Sequence, residues 1–282
     1  MGKYNSHISM GKVVLNVNDL EKQIQFYSYN LGMHIINSSE RGADLGTKDG
    51  KVLLSLIKTD KSWIRSYGLY HVAYLVPTKE DLANILKHFI DSKTILEGAA
   101  DHGYSNAIYL QDAEGNGIEV YYDLDESSWD KRDDGRIVGI TEPLDGDGLL
   151  NIAVEISPYE LPVGTSVGHV HLSVQNSKLS SEFYQDVLLF KDKFSVPSGS
   201  WLAHGDYHHH LAVNMWAGSN LSLRIDNSPG LAYFEILVED FSLFDKISKN
   251  ILHNNIKLIS QTDTKFIIRD INNIEVHIVL VR

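Results

Sequence analysis

The sequence predicts an α+β fold built from four βαβββ modules, paired into two open, curved sheets or half-barrels. Three observations carry this expectation. A strand that leads directly into an amphipathic helix recurs four times along the 282 residues. Each of those helices is preceded by a residue suited to capping its N-terminus, and three further strand-like runs follow each helix. Such a module is about 50 to 60 residues long, a period that marks an internal repeat. One module alone leaves a face of its sheet open, so modules should pair face to face.

The first module opens with the alternating run Lys12–Asp19 and continues into a helix over Leu20–Leu31 that carries Phe26-Tyr27. The second opens at His71–Thr78, and its helix, Lys79–Ser92, places Leu82, Ile85, Leu86 and Phe89 on one face. The third opens at His169–Asn176 and repeats the aromatic pair as Phe183-Tyr184 within Ser177–Leu189. The fourth opens at Tyr233–Asp240 before a helix over Phe241–Asn254. Asn18-Asp19, Thr78, Asn176-Ser177 and Asp240 stand where N-caps belong. These boundaries divide the chain into an N-terminal pair, 1–124 (modules 1–64 and 65–124), and a C-terminal pair, 167–282 (modules 167–228 and 229–282). Residues 125–166, rich in Asp, Glu and Gly, read as a connection with one short helix near Leu149–Val154.

The second module ends in a hairpin: Ala107–Leu110, a polar turn at Asp112–Asn116, then Ile118–Tyr122. Alternation puts Glu119 and Tyr121 on one face and Ile118 and Val120 on the other. A carboxylate between two buryable aliphatics points into a cavity.

Composition narrows the function. A formal net charge of −12 argues against a nucleic-acid partner and against a polybasic membrane patch. Cysteine is absent, which excludes disulfides and thiolate metal sites. No apolar run reaches the roughly 18 residues of a spanning helix, and Met1–Met10 is polar, without the apolar core of a signal peptide. A cytoplasmic protein is the expectation. Its oligomeric state is left open.

The strand-Asp-helix-Phe-Tyr repeat resembles the vicinal oxygen chelate superfamily, which includes glyoxalase I, bleomycin-resistance proteins and extradiol ring-cleaving dioxygenases. Members place metal ligands on the opening and last strands of a module. The resemblance therefore directs attention to His71 and Glu119 of module two, and to His169 and Asn214 of module three. Modules one and four offer only Lys12, Tyr233 and Glu275, a poor set for a divalent metal. His71, His169 and Glu119 would form a 2-His-1-carboxylate triad of the kind that holds non-heme Fe(II) with positions left open. His171 is the rival to His169, since both lie on one face of the strand. One metal per chain is expected, Fe(II), with Mn(II) left open.

Within the superfamily the resemblance to extradiol dioxygenases is more specific. Their pattern is a His, an aliphatic-Tyr pair, an acidic-Pro-x-Gly turn and a Glu. Here it reads His102, Ile108-Tyr109, Asp112-Ala113-Glu114-Gly115 and Glu119, with Ala113 where proline is usual. A second pattern, His-His-x-x-Ala, matches His208-His209-His210-Leu211-Ala212. By that resemblance His209 is the acid-base catalyst, with His208 and His210 left open as rivals for the role, Tyr109 is a catalytic residue that hydrogen-bonds near the substrate oxygens, and His102, His208 and His210 contact substrate. The implied reaction opens a catechol-type ring beside its diol with O₂. Two alternatives share the fold: a glyoxalase-like metal isomerase or lyase, which uses four ligands, and a non-catalytic binding module. Trp201, Met215 and Trp216 are candidates for a pocket wall, and which ring substituents fit is not legible.

Overall fold

Residues 3–218 and 220–281 are described in the computed structural model. Met1 and Gly2 of the polar N-terminal stretch, Ser219 and the final residue of module four, Arg282, lie outside the described residues. Module one comprises β1 (Ile8–Val17), α1 (Leu20–Asn30), β2 (His34–Ser39), β3 (Gly42–Gly46) and β4 (Val52–Lys58). Module two comprises β5 (Gly68–Leu75), α2 (Lys79–Asp91), β6 (Leu96–Asp101), β7 (Ser105–Gln111) and β8 (Gly117–Asp123). The connection holds three two-residue strands, β9 (Asp130–Lys131), β10 (Ile137–Val138) and β11 (Glu142–Pro143), and the short helix α3 (Gly146–Ile152). Module three runs through β12 (Ser166–Ser173), α4 (Ser177–Leu188), β13 (Lys191–Val196), β14 (Gly199–Ala203) and β15 (Leu211–Asn214). Module four is β16 (Gly230–Val238), α5 (Phe241–His253), β17 (Leu258–Thr262), β18 (Lys265–Arg269) and β19 (Glu275–Leu280).

The caps act as their chemistry dictates. Asp19, Thr78, Asn176 and Asp240 each accept a backbone N–H three residues on, and Asp81 returns the bond to Thr78 to close a capping box. The opening strands begin earlier than the sequence suggests. His71, His169 and Tyr233 are each the fourth residue of their strand, because pairing with a neighbouring module extends the strand N-terminally.

In every module the helix carries the chain back so that first and last strands pair in parallel: β1 with β4, β5 with β8, β12 with β15, β16 with β19. Two sheets result. The eight-stranded one joins modules four and one through an antiparallel β16–β1 seam, and the nine-stranded one joins modules two and three through an antiparallel β5–β12 seam. The grouping into 1–124 and 167–282 follows chain order, whereas the hydrogen-bonded sheets pair inner with inner and outer with outer.

Modules one and two, and modules three and four, are instead tied sheet to sheet. One hydrophobic cluster runs through both sheets and the four long helices. Tyr27 of α1 donates its hydroxyl to Asp112 in the β7–β8 turn at 3.0 Å, and Tyr184 of α4 donates to Asp270 in the β18–β19 turn at 3.0 Å. Asp112 also accepts the backbone N–H groups of Glu114 and Asn116, which stiffens the turn in the absence of proline. The Glu114 carboxylate accepts the N–H groups of Asn18 and Asp19, at the cap of α1.

Candidate metal centre

Three adjacent strands of the nine-stranded sheet build the site. Glu119 on β8 pairs with Ala73 on β5, and Ala73 pairs on its other side with His169 on β12. Glu119, Ala73 and His169 are therefore one rung, and His71, two residues from Ala73, faces the same side. The central residue is alanine, so nothing fills the space where the three longer side chains meet. Gly168 shapes the approach: a Cβ there would fall 1.8 Å from the Tyr121 hydroxyl. A register shift between Val167 and His169 accompanies it, and the Tyr121 ring lies 4.9 Å from that of His169.

The three buried side chains converge on one point. His71 Nε2 is 3.0 Å and His169 Nε2 3.1 Å from Glu119 Oε2, and the two nitrogens are 3.3 Å apart. Cis ligands around an octahedral ion with bonds of about 2.1 Å lie about 3.0 Å apart, so these separations fit one face of such an ion. Among the described residues no other group of His, Cys, Asp or Glu meets the geometric requirement. Burial draws the His169 pKa down to about 4, which leaves its imidazole a neutral donor. Burial acts upward on Glu119, but contact with His169 and His71 outweighs it and keeps the carboxyl well below its usual range. The donor set, two imidazoles and one carboxylate, fits a divalent transition metal.

His171 does not join them. It pairs across the seam with His71, and its Nε2 accepts from the Asn214 amide at 3.0 Å. Trp216 N–H donates to Asn214 Oδ1, which fixes that amide with its NH₂ toward His171. Asn214 is thus committed to two partners instead of serving as a fourth ligand.

The triad opens onto a cavity of about 320 Å³. His102, Tyr109 and His209 line it, as do Trp201 and Trp216, whereas Met215 does not. His102 Nδ1 donates to Ile140 O at 2.9 Å, so neutral His102 presents Nε2 as an acceptor to the Tyr109 hydroxyl at 2.6 Å. Burial, then the charge of Glu119, raises Tyr109 far above its ordinary pKa and keeps the phenol protonated.

The His209 ring lies 4.1 Å from that of His169. Behind it, His208 Nε2–H donates to Asp123 Oδ1 at 2.8 Å, and His208 Nδ1 lies 2.7 Å from His209 Nδ1. A carboxylate only accepts, so neutral His208 carries its proton on Nε2 and accepts on Nδ1. The proton of His209 must then sit on Nδ1, and its Nε2 is left as a bare lone pair.

His208 and His210, expected from the sequence to contact substrate, are not among the residues that line the cavity. His208 stacks on Tyr104 at 4.3 Å, with the relay to Asp123 at its edge, and His210 stacks on Phe190 at 6.1 Å. Asp123 escaped notice in the sequence, although Glu119-x-Tyr121-x-Asp123 already placed it on the face of Glu119. The wall residues Tyr70, Tyr104 and Phe194 carried no local signal.

Comparison with known proteins accords with the geometry. The model of the Glyoxalase/Bleomycin resistance protein/Dioxygenase superfamily matches residues 9–120. The chain is 34% identical over 273 residues to a catechol-2,3-dioxygenase of Bacillus subtilis (strain 168), covering 94% of each. In fold it is similar to a putative dioxygenase from Bacillus subtilis subsp. subtilis str. 168, with a TM-score of 0.64 at 11% identity, covering 96% of this chain and 85% of that one. Glyoxalase I from Zea mays is also similar, with a TM-score of 0.58 at 16% identity, covering 96% and 92%.

Proposed function

Since the chain belongs to the glyoxalase/bleomycin resistance protein/dioxygenase superfamily, we propose that it is an Fe(II)-dependent extradiol dioxygenase. It would open catechol-type rings with O₂. One observation carries the reading: the His71, Glu119 and His169 donor atoms meet within 3.3 Å of one another, on the wall of a cavity that also presents His209 and Tyr109. The name of the Bacillus subtilis relative supports the same reaction class.

His71, Glu119 and His169 would hold the metal, which when bound would supply a Lewis acid that lowers the pKa of the diol and a template for diol and O₂. The protein's own groups do the rest. His209 Nε2, the unprotonated nitrogen, takes a proton from a catechol hydroxyl and later returns it. His208 and Asp123 hold that tautomer and stabilise the imidazolium while the proton is on His209. The Tyr109 hydroxyl gives its proton to His102 Nε2, so its oxygen is turned to accept from a hydroxyl of the reacting diol. Both atoms of O₂ enter the product, so catechol, C₆H₆O₂, yields the ring-opened semialdehyde C₆H₆O₄ with nothing else released.

The test is anaerobic loading with Fe(II), then addition of catechol and air. The expected result is a yellow ring-fission product formed with one O₂ consumed per catechol. Metal-loaded protein that consumes no O₂ with any catechol would reject the proposal.

A further inference from the structure

Granting the ring-cleavage reading, we infer that the substrate is a catechol bearing an uncharged, apolar ring substituent, and that ring carboxylates are excluded. One side of the cavity wall is apolar and is formed by Tyr70, Phe194, Trp201 and Trp216, with Ala100 and Ile140 also in the lining; its polar members beyond the triad, His209 and Tyr109 include His102, Ser105, Thr141 and His171. The rings form a continuous surface. Trp216 meets Tyr70 at 5.2 Å and lies 6.5 Å from Trp201, which meets Phe194 at 5.4 Å. The Trp216 indole N–H is engaged by Ser198 Oγ at 3.2 Å, so the ring shows the cavity its apolar body. Trp216 and Tyr70 remain 50% and 43% exposed, so packing into a protein core does not account for this surface.

Among the described residues no Lys or Arg lines the cavity. Lys193, beside Phe194 in sequence, directs its ammonium to Gly135 O at 3.2 Å, and Arg65 donates to Ala217 O at 3.2 Å. His171, among the rings, has its Nε2 taken up by the Asn214 amide at 3.0 Å. A ring carboxylate entering against these rings would lose its water and find no Lys or Arg partner among the described lining residues. An alkyl group would bury apolar area against indole and phenyl faces, a gain of about fourfold in affinity per methylene.

The test is equilibrium binding without O₂, which separates recognition from turnover. Protein loaded anaerobically with Fe(II) is titrated with catechol, 4-methylcatechol, 4-ethylcatechol and 3,4-dihydroxybenzoate, following tryptophan fluorescence. Affinity should rise from catechol through 4-methyl- to 4-ethylcatechol, and 3,4-dihydroxybenzoate should bind at least about 10-fold more weakly than 4-methylcatechol. Trp216→Arg, at an exposed position, should narrow or reverse the last difference, and Trp201→Ala should erase the alkyl gain. If 3,4-dihydroxybenzoate binds the parent protein as tightly as 4-methylcatechol, the substrate class is wrong while ring cleavage stands. If iron is retained and no diol binds, both readings fall.

Discussion

Asp123→Asn tests how the protein sets the proton on His209. The substitution keeps the shape of a buried side chain that accepts from His208 Nε2 at 2.8 Å and from the Tyr4 hydroxyl at 3.0 Å. It removes the charge and turns one acceptor oxygen into a donor. A hydrogen bond to a charged group contributes about 1.5–3 kcal/mol. Losing that bias lets His208 place its proton on Nδ1 and meet His209 as a donor, and His209 then carries its proton on Nε2, where the catechol proton should arrive. Converted to rate, the loss is roughly 10- to 150-fold in kcat. The assay is steady-state ring cleavage by absorbance, with iron content measured on the same samples. KM for catechol should change little, because Asp123 does not line the cavity. A variant that retains iron and shows kcat within about twofold of the parent would refute the relay.

Other expectations follow from the same contacts. His209→Ala should keep iron and bind catechol while kcat falls by about 10²- to 10⁴-fold, the range of a lost general base, measured by the same assay. Tyr109→Phe should lower kcat with iron content unchanged. Tyr27→Phe should cost about 1–2 kcal/mol in urea unfolding, since it leaves the buried Asp112 one donor short. Burial pushes Asp270 up to about 6 from its ordinary 3.8. Its contribution to stability is therefore complete below about pH 4 and lost as pH rises through 6. Asp270→Asn removes that titration, so its disadvantage in urea unfolding should be larger at pH 4.5 than at pH 7.5; an unchanged difference would contradict the assignment.

Much of this was legible because local rules dominate where the chain is regular. The four long helices end within one residue of the boundaries set by periodicity, and Asp19, Thr78, Asn176 and Asp240 all cap. The triad was legible because parallel pairing of first and last strands is built into each module, which brings an opening-strand His beside a last-strand Glu. The choice between His169 and His171 was not, since it depends on the register shifts in the β5–β12 seam and on the Asn214 amide. Long-range pairs were hidden for a simpler reason: His208 meets Asp123 across 85 residues. Two of them did leave a trace. Tyr27 and Asp112 are 85 residues apart and Tyr184 and Asp270 are 86 apart, so the repeated Phe-Tyr and Asp-turn motifs keep a common offset that could have located both ties.

Metal stoichiometry in two single variants tests the convergence of His71, Glu119 and His169 most directly. After anaerobic loading and gel filtration, the parent protein and His171→Ala should each carry one iron per chain, and His169→Ala should carry none while remaining folded. Iron retained by His169→Ala and lost from His171→Ala would contradict the assigned triad.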